Sequence, residues 1–197
     1  MGRERDARAE KAKHGGKPVI LWALAGSSVH KVWPYIDITF ARLMEVTDCV
    51  VYTSGDVTTQ KLEHGWEKTD RMQLRSGKWT IRETLAFAQV ADIVVGPETG
   101  VLNSVAFNKD VAKIVLLSHS SVNNLSRDWY NTILLIPMHT SCYPCHRLHY
   151  SWDNCRREPE GVAACQKDIT PDTMWTALCQ YIPDRKSTRL NSSHVAL

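Results

Sequence analysis

The stretch "ADIVVGPETGVLNSVAF", residues 91–107, decides how the rest of the chain is read. A short apolar run ends at Val95, passes directly into Gly-Pro-Glu-Thr-Gly, and a helical apolar pattern follows at once. An uninterrupted apolar strand lacks the alternation of a half-exposed one, so both of its faces are covered. Gly96 and Gly100 allow close approach of backbone to a ligand, Pro97 stiffens the turn, and Thr99 stands where a helix N-cap belongs. Glu98 would repel a phosphate. It is therefore expected either to meet neutral sugar or ribose hydroxyls, or only to favour the dipole of the following helix.

The same strand–loop–helix grammar recurs on both sides. "PVILWALA" (18–25), "DCVVYTSGD" (48–56), "AKIVLLS" (112–118) and "NTILLIP" (131–137) read as buried strands, with a weak one near Met72–Leu74. Between them, "YIDITFARLMEV" sets Ile36, Phe40, Leu43 and Met44 at helical spacing, and "VTTQKLEHG" reads as a short helix stopped by glycine. In "TIRETLAFAQVA" the Thr80 and Glu83 pair has capping-box spacing; in "TPDTMWTALCQYI" Thr170 is the N-cap and Pro171 the first helical residue. Alternating strands and helices imply right-handed crossovers and a parallel sheet. The predicted fold class is α/β, a doubly wound Rossmann-like domain over 17–183. Residues 1–16 form a charged linker or helix, and 139–167 a Cys-rich loop. The tail 184–197, "DRKSTRLNSSHVAL", is polar and aperiodic; it resembles translated adapter sequence and is set aside as an artefact of sequencing.

Composition narrows the function classes. The 197 residues are 43% hydrophobic and 23% charged with formal net charge +3, which suits a globular domain and gives no electrostatic reason to expect nucleic acid. No apolar run reaches the ~20 residues of a membrane span, and the charged start has no apolar core for a secretory signal, so a cytoplasmic location is expected.

In an open parallel sheet, ligands bind beyond the carboxyl ends of the strands. Three loops lie there. The first offers the Ser27 and Ser28 hydroxyls and the Lys31 ammonium, donors that suit a pyrophosphate, although a solvated turn would look similar. The second ends in Asp56, placed to bind ribose hydroxyls or simply to make a turn. The third carries Glu98, Thr99 and Gly100. Trp22, Trp33, Trp175 and Phe87 read as packing rather than sugar platforms, Trp79 as a contact at the start of its helix, and His30, His64 and His119 as isolated loop histidines.

"GSSVHKVWP" (26–34) resembles the Gly-Ser-x-x-Lys-x-Trp-Pro loop of glycosyltransferase family 9, and residues 91–107 resemble that family's Ala-Asp-x-x-Val-Gly-Asp-Ser/Thr-Gly segment. "SCYPCHRL" with Cys155, Cys165 and "DITPDTMWTAL" is similar to its C-terminal cysteine cluster and last helix. The resemblance, from about 18 to 182, implies the C-terminal, donor-binding half of an inverting GT-B glycosyltransferase. Such an enzyme moves heptose or a similar sugar from a nucleotide diphosphate to a glycan or lipopolysaccharide-type acceptor without a cofactor for its chemistry. It places Ser27, Ser28 and Lys31 at the donor diphosphate, Glu98, Thr99 and Gly100 at the sugar and phosphates, and Asp56 near the ribose. Glu98 stands where the family has Asp more often, and Asn103 where it often has His. The family's catalytic base belongs to an N-terminal acceptor domain with no counterpart before Pro18, so the partner implied is that missing domain and the chain is expected to be inactive alone.

Cys142, Cys145, Cys155 and Cys165 crowd into one segment. Four thiols can hold a structural zinc, and Cys-x-x-Cys is a usual half-site, but the second pair lacks that spacing. Packed thiols or a redox pair are the alternatives. A second function follows from the zinc: a non-catalytic module binding nucleic acid or a protein partner, supported by Arg147, Arg156 and Arg157 among Tyr143, Tyr150 and Trp152. A nicotinamide oxidoreductase would need Gly-x-Gly-x-x-Gly after the first strand, where only Gly26 stands.

Overall fold

The computed structural model describes residues 2–183; the tail set aside above lies outside the described residues. Its centre is a six-stranded sheet built from β1 (Val19–Ala23), β2 (Val50–Ser54), β3 (Met72–Gln73), β4 (Ile93–Pro97), β5 (Ala112–Leu116) and β6 (Thr132–Leu135). The order is β3-β2-β1-β4-β5-β6 and every pairing is parallel. The strand order reverses between β1 and β4, which makes the gap above that pair the topological switch point of a doubly wound sheet.

The period of two along β1 sorts its side chains onto two cores. Ile20, Trp22 and Leu24 enter one with Trp33, Phe40 and Leu43, where α2 (Ile36–Val46) and α7 (Pro171–Leu178) cover the sheet. Val19, Leu21 and Ala23 enter the other with Tyr52, Phe87 and Leu102, beneath α3 (Ile81–Ala88) and α4 (Gly100–Ser104). Phe40 is fully buried and meets Trp22 edge to face at a 5.1 Å centroid separation; Phe40→Ala would cost about 3–5 kcal/mol in lost burial and cavity.

Local signals are realised at most ends. Thr80 and Glu83 form a reciprocal capping box on α3, and Thr170 caps α7 with Pro171 in its first turn. The charged start is a helix, α1 (Gly2–Ala12), ended by Gly15 and Gly16 at positive φ. It is more than a linker, because Ala7 is buried with the second core and α1 packs on α3. The "VTTQKLEHG" segment is a 3-10 helix, Val57–Glu63, rather than an α-helix. Trp22, Trp33 and Phe87 are core residues, while Trp175 is partly buried under the Arg42 guanidinium. Trp79 stacks on Tyr52 and meets Phe87 beside the start of α3.

Two short helices follow β5: α5 (Val122–Leu125) precedes β6, and α6 (Ala164–Asp168) forms the end of the Cys-rich loop. That loop is pinned over the strand ends by backbone bonds from His146 N to His119 O and from Val29 N to His149 O.

Candidate functional site

An open crevice of about 1120 Å³ lies over the carboxyl ends of the strands, at the switch point. All eight residues singled out on the three loops line it: Ser27, Ser28 and Lys31 after β1, Asp56 after β2, and Glu98, Thr99, Gly100 and Asn103 after β4. Their roles within it differ.

Lys31 sits on the 3-10 turn Val29–Lys31 and is only 7% exposed. Its stem lies across Gly26, where an added Cβ would come within 2.5 Å of the lysine Cδ, so glycine makes room for it. Nζ donates to the backbone carbonyl of Glu98 at 2.6 Å and makes no ion pair with a carboxylate among the described residues. Burial holds its pKa below the ordinary lysine value, against a smaller opposing pull from Glu98. A buried ammonium served by one carbonyl is electrostatically incomplete, which favours an anion beside it. On the same crevice lining, the Ser28, Ser54 and Thr99 hydroxyls are buried and have no hydrogen-bond partner among the described residues. Three unpaired hydroxyls on one crevice are uncommon, because buried polar groups are nearly always paired.

Thr99 holds the N-cap position of α4 with extended backbone, as its place in the sequence suggests, but makes no capping bond. Asp56 is exposed, and one of its oxygens caps the following 3-10 helix by accepting from Thr59 N at 3.0 Å and Thr58 Oγ1 at 2.7 Å. Ser27, Gly100 and Asn103 are exposed on the crevice wall.

The Glu98 carboxylate is already engaged within the protein. It is 4% exposed, and both carboxylate oxygens are engaged with the turn after β5. Oε2 accepts from Ser118 Oγ at 2.8 Å and His119 N at 3.3 Å and touches His119 Nδ1; Oε1 accepts from Ser120 N at 2.9 Å. Burial alone would raise its pKa, but His119 and Ser118 outweigh that, and the net shift is downward. The carboxylate is a strut between the β4 and β5 loops, and its backbone carbonyl orients Lys31.

His30 and His119, read as isolated, belong to one cluster with His149. The His30 ring lies 5.1 Å from His119 and 5.4 Å from His149, and His30 Nδ1 meets Ser118 Oγ at 2.9 Å. Burial, then the neighbouring His119 and Lys31, lowers the His30 pKa to about 4. His64 is elsewhere, exposed beside Glu67. No local signal announced the cluster, since its members come from three separate loops. Tyr150 lines the crevice, a place its sequence position among the cysteines does not signal.

The four cysteines share a neighbourhood without a disulfide: Cys155, Cys142 and Cys145 all act on buried Cys165, whose pKa burial first and these neighbours next push to about 12. Among the described residues no group of three or more His, Cys, Asp or Glu side chains is placed to hold a metal ion.

No family model and no curated protein matches the sequence. Solved structures do match the fold. E. coli ADP-heptose lps heptosyltransferase II aligns with a TM-score of 0.66 at 14% identity, over 92% of this chain and 51% of that one. The glycosyl transferase family 9 from Veillonella parvula DSM 2008 gives 0.66 at 13%, again over 92% and 51%. E. coli heptosyltransferase WaaC with ADP gives 0.59 at 12%, over 84% and 44%. The chain therefore has the fold of a part of these glycosyltransferases and spans about half their length, in keeping with the resemblance carried by its motifs.

Proposed function

We propose that this chain is the donor-binding half of a GT-B glycosyltransferase, holding a nucleotide-diphosphate sugar at the switch point of its sheet. The observation that carries the proposal is a crevice lined both by the buried Lys31 ammonium, which pairs with no carboxylate among the described residues, and by the unpaired hydroxyls of Ser28, Ser54 and Thr99. A diphosphate supplies what that arrangement lacks: negative charge for the lysine and acceptors for the hydroxyls. Asp56, with one oxygen not used by the cap, stands at the end of β2 for ribose hydroxyls. Glu98 acts by position, fixing Lys31 and the β5 turn.

In a displacement at the sugar's anomeric carbon, the acceptor hydroxyl loses a proton as it attacks and the diphosphate leaves with its charge stabilised. Lys31 and the hydroxyls fit the second task. The base for the first is assigned to a separate acceptor-binding half, and an inverting outcome, a heptose-like donor and a lipopolysaccharide-type acceptor come with the family resemblance. Work in the cytoplasm belongs to the same proposal.

Calorimetric titration with ADP and with pyrophosphate tests it. Both should bind, and Lys31→Met should weaken both by about 10- to 100-fold, as loss of a charge-assisted contact predicts, without lowering the melting temperature. No binding by the wild-type chain, or equal binding by the variant, would refute the assignment. The purified chain should transfer no sugar by itself.

A further inference from the structure

Lys31 stands next to a side chain that takes no part in the crevice. Val29 and Lys31 line it, whereas His30 between them does not. The His30 ring is 1% exposed and meets two others: His119 on the turn after β5 at 5.1 Å, and His149 of the Cys-rich loop at 5.4 Å. Its tautomer is set by a neighbouring hydroxyl. Ser118 Oγ donates its hydrogen to Glu98 Oε2 at 2.8 Å, so at 2.9 Å it accepts from His30 Nδ1–H. In the neutral ring Nε2 then carries no hydrogen, and it is buried without a hydrogen-bond partner among the described residues.

The Cys-rich loop also holds the backbone of this turn. Val29 N donates to His149 O at 2.9 Å, and a little earlier in the loop His146 N donates to His119 O at 2.8 Å. Lys31 is therefore fastened from two directions. Its 3-10 turn is held by the loop at Val29 and by the His30 ring, while its ammonium is held by the Glu98 carbonyl at 2.6 Å. Both fastenings lead to the turn after β5: Ser118 Oγ bonds His30 and the Glu98 carboxylate, and His119 O takes the loop. A lysine stem is flexible, so freeing the turn beneath it would spread the ammonium over many positions and weaken its hold on an anion.

We infer that His30 is a positioning residue that ties the Cys-rich loop to Lys31, so that seating of the loop and diphosphate binding in the crevice support each other. This rests on the donor-binding reading above and adds a control to it, exerted by a side chain outside the crevice. Linked equilibria act in both directions. If a seated loop raises the affinity for a diphosphate by some factor, a bound diphosphate holds the loop in place by the same factor.

Two measurements with pyrophosphate test the tie. In the wild type, amide hydrogen exchange read by NMR should slow at Val29 and His146, the donors of the two loop bonds, by about tenfold at saturation, a moderate coupling between sites. By calorimetry, His30→Ala should weaken pyrophosphate by about the same tenfold, and His149→Ala should weaken it too, although neither residue lines the crevice. Because the two rings act through one contact, the double variant should bind no more weakly than the poorer single variant. In His30→Ala the protection of His146 by pyrophosphate should vanish, a change that mere loss of stability would not produce. Unchanged exchange at His146 in wild type that binds pyrophosphate would overturn the tie, and that result does not depend on whether a variant folds. Full affinity in His30→Ala, or additive losses in the double variant, would overturn it as well. Failure of the wild type to bind pyrophosphate would refute the donor-binding reading itself, and the tie with it.

Discussion

The Glu98 side chain and the Lys31 ammonium are neighbours that do not pair: Lys31 takes the backbone carbonyl of Glu98 at 2.6 Å, while the carboxylate faces the turn after β5. Acid and base therefore do different work. The carboxylate closes the loop behind the crevice, and the ammonium is left for a ligand.

The role of Glu98 is separable by stability. Glu98→Ala should cost about 3–5 kcal/mol, because buried Ser118 Oγ and the part-buried His119 N and Ser120 N would lose their charged acceptor. Its folded pKa lies below the ordinary glutamate value of 4.5, so the stabilisation is complete above that value and is lost as pH falls through the depressed one. Chemical denaturation of wild type and Glu98→Gln between pH 3 and 7 should show the variant less stable at neutral pH and the difference shrinking toward acid. A variant as stable as the wild type that merely loses nucleotide binding would return Glu98 to direct donor contact.

His30 gives a second acid dependence in another window. It is 1% exposed and its pKa falls from 6.5 to about 4, so the unfolded chain binds the extra proton between those values and the native state does not. Stability should rise with pH across about 4 to 6.5, by an amount on the order of 3 kcal/mol. His30→Gln, which carries no titrating ring, should flatten that rise. A slope unchanged in the variant would show that His30 is not its source.

Much of the fold was legible because its signals are local. The run from Val19 to Ala23 is buried at every position, and the Thr80 and Thr170 caps close the bonds that their spacing requires. The crevice residues were legible for the same reason, as strand-end loops of a parallel sheet meet at one edge. The direction in which Glu98 points was not, since it depends on Ser118 to Ser120, some twenty residues downstream. The gathering of His30, His119 and His149, and the placing of Tyr150 on the crevice, likewise depend on how a loop without regular periodicity folds back over the Val29–Lys31 turn, far from it in sequence. Hydrophobic period says nothing of such a loop.

The cysteine neighbourhood makes the last prediction. Cys142 is exposed, whereas Cys49 and Cys165 are buried, and burial raises the pKa of both, that of Cys165 to about 12. At pH 8 a thiol with that pKa is about one part in ten thousand thiolate, the reactive form. Iodoacetamide on the native protein, with sites mapped by mass spectrometry, should label Cys142 early and reach Cys49 and Cys165 only in denaturant. A structural zinc shared by Cys142, Cys145, Cys155 and Cys165 would give another pattern: Cys142 and Cys145 protected until a chelator is added, with about one equivalent of metal released. Early labelling of Cys142 in metal-replete protein would exclude that zinc, and protection reversed by chelator would show that the loop closes around a metal.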